Sequence, residues 1–123
     1  MEICIPYHLE VANATSDAEY VPLYRKLTLK DAKIVANKPL TAHDSNYYTF
    51  SLVNGSTTLA SRKTQVADGS MAEGVSETMS LSGGEGLDFS DLGELKINCA
   101  HAGSSSEPVD LTFLLVFEPR RET

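Results

Sequence analysis

Apolar and polar positions alternate most clearly between Tyr47 and Val53. Tyr48, Phe50 and Leu52 fall on one side of the alternation, Thr49 and Ser51 on the other. A period of two gives a strand one apolar and one polar face. Aromatic and β-branched side chains are concentrated here, and they suit a pleated, half-buried surface. Pro39, Asp44, Ser45 and Asn46 precede the run as turn formers, and Asn54-Gly55 closes it. Asn-Gly tolerates positive φ at both positions, so the pair is predicted to fill the two centres of a tight hairpin turn. Thr57-Thr58-Leu59-Ala60 is then the returning strand.

The same reading extends in both directions. Ile3 to Val11 is a strand interrupted by Pro6, which cannot donate to a ladder and so predicts an edge strand or an arm. Ala12 to Tyr20 is small and polar and reads as a loop, and Val21-Pro22-Leu23 re-enters extended structure. Leu27 and Leu29 are apolar on odd numbers, whereas Ala32, Ile34 and Ala36 are apolar on even ones. One strand can hold both phases only with a bulge or bend near Lys30-Asp31. A short helix over Leu29 to Ala36 is the competing reading; the β-branched residues and the lack of a cap favour the strand. In Gln65 to Leu81, Met71, Val75 and Met79 have helical spacing, but Gly74 weakens a helix and Val75, Glu77, Met79 and Leu81 also alternate. The segment reads as a loop leading into a strand. Ser82 to Gly86 is a glycine-rich loop, continued by Leu87, Phe89 and Leu92. Leu95, Ile97 and Cys99 mark another half-buried strand, and Gly103 to Pro108 a turn.

The last strand, Val109 to Glu118, differs. Val109, Leu111, Phe113, Leu115 and Phe117 make one apolar face, yet Leu114 and Val116 are apolar on the other. A strand apolar on both faces needs cover on both, here from a helix, a loop or another subunit. The chain is therefore expected to be all-β: a single antiparallel β-sandwich or jelly roll over residues 21–119. Residues 1–20 would form an N-terminal arm or edge strand, and residues 120–123 a charged tail.

Composition narrows the partners. The 123 residues carry a formal net charge of −7. That balance disfavours a phosphate backbone, which needs clustered Lys and Arg, and equally an anionic membrane surface. No nucleic-acid or membrane partner is expected. The opening MEICIPYHLEV lacks a basic stretch and a long apolar core, so synthesis and folding in a cytoplasm are expected. Cys4 and Cys99 could be joined as a disulfide, but a reducing compartment favours two free thiols buried as small hydrophobes.

Catalytic chemistry finds little support. Nucleophile-elbow and phosphate-loop glycine patterns are absent. His8, His43 and His101 come from separate predicted elements, without the short spacing that holds two metal ligands together. Asp88 to Glu94 has clustered oxygens but departs from calcium-loop spacing, and reads as a solvated turn. No cofactor, no metal and no enzymatic activity are expected. Arg25, Lys26, Lys30 and Lys33 group together, too few for a nucleic-acid stripe but able to meet an acidic neighbour in an assembly.

Within Leu27 to Gly55, residues Ile34, Val35, Ala36, Leu40, Thr41, Ala42, Asp44, Asn46, Tyr47, Thr49, Phe50, Leu52, Asn54 and Gly55 follow a recurring pattern. This segment resembles one found in small virion proteins of tailed bacteriophages. Ser82 to Cys99 and Val109 to Phe117 are similar to that family in order, whereas Met1 to Leu27 and Ser61 to Leu81 match nothing in it. The resemblance implies a β-sandwich or jelly-roll module that decorates a capsid, often as a trimer, with the major capsid protein as partner and no catalytic residues. Leu114, Val116, Arg25, Lys26, Lys30 and Lys33 are the interface candidates. Two other functions stay open at this point: a carbohydrate- or receptor-binding β-sandwich of a fibre or tail, which the absence of Trp disfavours, and a cupin-like metalloenzyme, which would need the histidines to converge.

Overall fold

A computed structural model of the chain describes residues 2–11, 17–23, 25–90, 93–103 and 108–120. Among them run β1 (Ile3–Val11), β2 (Asp17–Pro22), β3 (Leu27–Ala36), β4 (Tyr47–Asn54), β5 (Thr57–Lys63), β6 (Ser76–Thr78), β7 (Asp88–Phe89), β8 (Glu94–Ala102) and β9 (Val109–Pro119). Helical structure among the described residues is limited to two 3-10 turns, Val66–Asp68 and Gly84–Leu87. One sheet has the order β1-β9-β3-β6, with β7 also paired to β3; the other has the order β2-β8-β4-β5. All the strand pairs are antiparallel. The fold is the all-β sandwich that the alternation predicts.

Alternation decides what each strand buries. On β9, Val109, Leu111, Phe113, Leu115 and Phe117 are fully buried. They face Tyr48, Phe50 and Leu52 of β4 and Leu95, Ile97 and Cys99 of β8 across a single core. Phe89 meets Phe117 edge-on at 6.0 Å between ring centres, and Tyr48 stacks on Phe50 at 5.7 Å. These are favoured aromatic geometries.

The phase change in β3 is a bulge. Leu29 pairs with Phe117 and Asp31 with Val116, so Lys30 is the extra residue. The bulge turns Leu27 and Leu29 inward on odd numbers and Ala32, Ile34 and Ala36 inward on even ones. The Asp31 carboxylate accepts a hydrogen bond from the Ala32 N–H at 2.9 Å and fixes the irregular backbone locally. A second shift, in β5, leaves Leu59 between the Leu52–Ala60 and Val53–Thr58 pairs. It buries the consecutive residues Leu59 and Ala60.

Three expectations need correction. The hairpin turn is offset by one residue: Asn54 pairs with Thr57, so Gly55 and Ser56 are its centres, with Gly55 at φ 62°. Asn54 is instead a tether, donating from Nδ2 to the carbonyls of Gly86 and Asp88 at 2.8 and 3.2 Å. Asp17 to Tyr20, expected in a loop, belongs to strand β2, while residues 12–16 lie outside the described ones. Gln65 to Leu81 is, as expected, a loop leading into a strand: Met71 and Met79 are buried, Val75 between them is 51% exposed, and the segment forms isolated bridges and the short strand β6 rather than a helix. Cys99 is a buried core residue, as expected, but Cys4 is exposed, and no disulfide joins the two.

Two contacts close the sides of the sandwich. The Arg62 guanidinium donates to both Glu77 oxygens, at 2.9 and 3.3 Å, and joins β5 of one sheet to β6 of the other. At the β1–β2 side, the Tyr7 hydroxyl donates to Glu19 at 2.5 Å. Residues 1–20, expected as an arm or edge strand, thus contribute β1 and part of β2, each at the edge of its sheet. Within β1, Leu9 is buried in the core and Ile3, Ile5 and Tyr7 pack against it. Pro6, which has no N–H to give to a ladder, is accommodated on this edge strand.

Candidate docking face

The outward face of the first sheet follows from register. Cys4 lies opposite Val116 and Pro6 opposite Leu114. On the other side of β9, Asp31 lies opposite Val116, Lys33 opposite Leu114 and Val35 opposite Thr112. Cys4 and Pro6 are exposed, and Leu114, Val116 and Val35 are half-buried by their cross-strand neighbours. The result is an apolar stripe over three adjacent strands, open to solvent along its top. It is the reason that β9 reads as apolar on both faces: one face fills the core and the other lies at the middle of this stripe.

Charged residues border it. Lys33 stands beside Leu114, and the bulge turns Lys30 outward with its Nζ 4.0 Å from the Glu118 carboxylate. Both members of that pair are about half exposed, so it contributes at most about 1 kcal/mol. Arg25 and Lys26 precede β3, off the paired strands, with the Lys26 carbonyl accepting from the Arg120 N–H at 3.0 Å. Of the six interface candidates, Leu114, Val116, Lys30 and Lys33 therefore share this face, and Arg25 and Lys26 stand at one end of it.

At the far end of the β1–β9 pair the face becomes polar. Glu10 lies opposite Asp110, and His8 opposite Thr112. The Asn37 amide donates to Asp110 at 2.9 Å and to Thr112 at 3.0 Å, and the His8 Nε2 contacts the same Asp110 oxygen at 2.5 Å. The hydrogen bonds from Asn37 and then His8 hold the Asp110 carboxyl below its ordinary pKa.

The three histidines occupy separate surroundings. His8 is on the outward face of the first sheet. The Nδ1 of His43 accepts from the backbone N–H groups of Ser45 and Asn46, both at 3.0 Å. His101 lies against the Tyr48 ring at 4.8 Å in the second sheet. Glu10, Asp110 and Asn37 were not singled out from the sequence. Glu10 could have been found by following β1 outward through Cys4, Pro6, His8 and Glu10; the β9 register that sets Asp110 against it is not written locally.

A scan against protein-family models finds no match, and a search of curated proteins finds none. Among solved structures, a chain in the structure of infectious bursal disease virus, Gx strain, aligns over 95% of this chain and 32% of its own length, so this chain spans about a third of it. The two are 12% identical with a TM-score of 0.28, too distant a likeness to carry an argument about function.

Proposed function

We propose that the protein is a non-enzymatic structural subunit of a tailed-phage virion: a capsid decoration protein that binds the major capsid protein and assembles as a homo-oligomer, a trimer in this reading. The observation that carries it is the outward stripe of Cys4, Pro6, Leu114, Val116 and Val35. It is an apolar surface with a charged border, suited to burial against another folded surface. The phage-type segment Leu27 to Gly55 supplies the class.

The occupant of the stripe in this reading is a second copy of the chain. Lys30 and Lys33 lie on its β3 side, and Glu10 of β1 and Asp110 of β9 lie at its far, polar end. Separate basic and acidic patches suit a head-to-tail contact, which closes into a ring when the rotation permits. A ring that binds only the assembled shell stabilises it by mass action.

The test is co-sedimentation with empty shells assembled from the major capsid protein encoded in the same genome. Saturable binding to shells, with none to unassembled capsid protein, supports the proposal. Absence of binding at saturating concentration overturns it.

A further inference from the structure

We propose that His8, Glu10 and Asp110 form a binding site for one divalent transition-metal cation at the polar end of the β1–β9 pair. The ligand atoms of these three side chains lie within 4.8 Å of one another. Ligands about 2.0–2.2 Å from a tetrahedral zinc ion are spaced by roughly 3.4 Å, so modest rotamer changes bring the three donors onto one ion. The set joins one imidazole to two carboxylates. That mixture suits zinc and its first-row neighbours better than magnesium or calcium, which take oxygen ligands.

Register puts the residues together. Glu10 and Asp110 are direct cross-strand partners, so two carboxylates face each other on the same side of the sheet. Like charges directly opposed are unfavourable in a sheet. The pair cannot slip apart, because a shift of one residue would turn Leu9, Leu111 and Phe113 out of the core. A cation between the carboxylates removes the repulsion, and His8, two residues before Glu10 on the same face, adds a neutral nitrogen ligand.

Asp110 is also held in place. Asn37 and His8 both engage its Oδ1, and its Oδ2 takes no hydrogen bond from the described residues. An amide that anchors one oxygen while the other stays available orients a ligating carboxylate. Lys38 is a nearby positive charge. His8 and Glu10 are exposed, which leaves the remaining coordination positions to water or to a ligand from outside.

The site stands independently of the proposed virion role. Its test is calorimetric titration of untagged, chelator-stripped protein with zinc chloride, with cobalt absorption as a second readout of ligand number. One ion per chain is expected, and His8→Ala and Glu10→Gln should each weaken binding by about tenfold or more. Both positions are exposed, so the variants should keep their strand circular dichroism. Cys4→Ser and His43→Ala should bind as the unaltered chain does. Binding that survives His8→Ala and Glu10→Gln, that is lost with Cys4→Ser, or that is absent at millimolar zinc overturns the assignment.

Discussion

Deleting Ile3 to Val11 should unfold the isolated domain or bring it close to unfolding. β1 pairs with β9 along its whole length, from Ile3–Phe117 to Val11–Val109. Leu9 is 1% exposed, and its burial is worth about 2–3 kcal/mol. Ile3, Ile5 and Tyr7 pack on the core only in part, and together add roughly 3 kcal/mol at half weight. The β9 backbone groups that lose their partners gain water instead, so they are left out of the sum. The loss is therefore about 5–6 kcal/mol, an upper figure because unfolded chains already bury some apolar area. Domains of this size have roughly 5–15 kcal/mol in total. At about 3–5 °C per kcal/mol, the melting temperature should fall by some 15–30 °C. The assay is thermal and urea unfolding followed by circular dichroism, with Leu9→Ala as the graded version. A truncated chain that melts within about 5 °C of the full one would refute the reasoning, and β1 would then be an arm laid on a self-sufficient sheet.

Other changes test single features. Gly55→Val should cost about 1 kcal/mol or more in urea unfolding; a Cβ added there meets nothing within 4 Å, so the cost comes from the left-handed backbone at φ +62°. Thr64→Val keeps the shape of a residue that is 1% exposed but removes the hydroxyl that accepts the Tyr48 N–H at 2.9 Å, so a loss of about 1–3 kcal/mol is expected. Because the folded pKa of Asp110 lies below its ordinary 3.8, its contribution is present above pH 3.8 and lost as pH falls through the folded value. Carboxyl NMR titration should show this, with Asn37→Ala moving the midpoint back toward the ordinary value.

Short-range chemistry made much of this fold legible. The alternation in β4, β8 and β9 marks the buried faces, and the change of parity between Leu29 and Ala32 places the β3 bulge at Lys30. What failed depends on partners distant in sequence. Asn54-Gly55 has the composition of a turn pair, but Asn54 is drawn into the ladder and its amide holds residues 86–88, so the turn moves by one residue. Leu114 and Val116 were readable as needing cover. Their neighbours Cys4 and Pro6, and the meeting of Glu10 with Asp110, appear only once β1 is laid against β9.

The central claim is that the outward stripe is buried between copies of the chain. Light scattering over a concentration series, on the unaltered protein and on Leu114→Glu, tests it most directly. The account predicts a mass of about 40 kDa for a trimer of 13.3 kDa chains, and a single-chain mass with unchanged circular dichroism for the variant. An unaltered protein that stays at the single-chain mass at its highest concentration, or a variant that assembles as well as the parent, would contradict it.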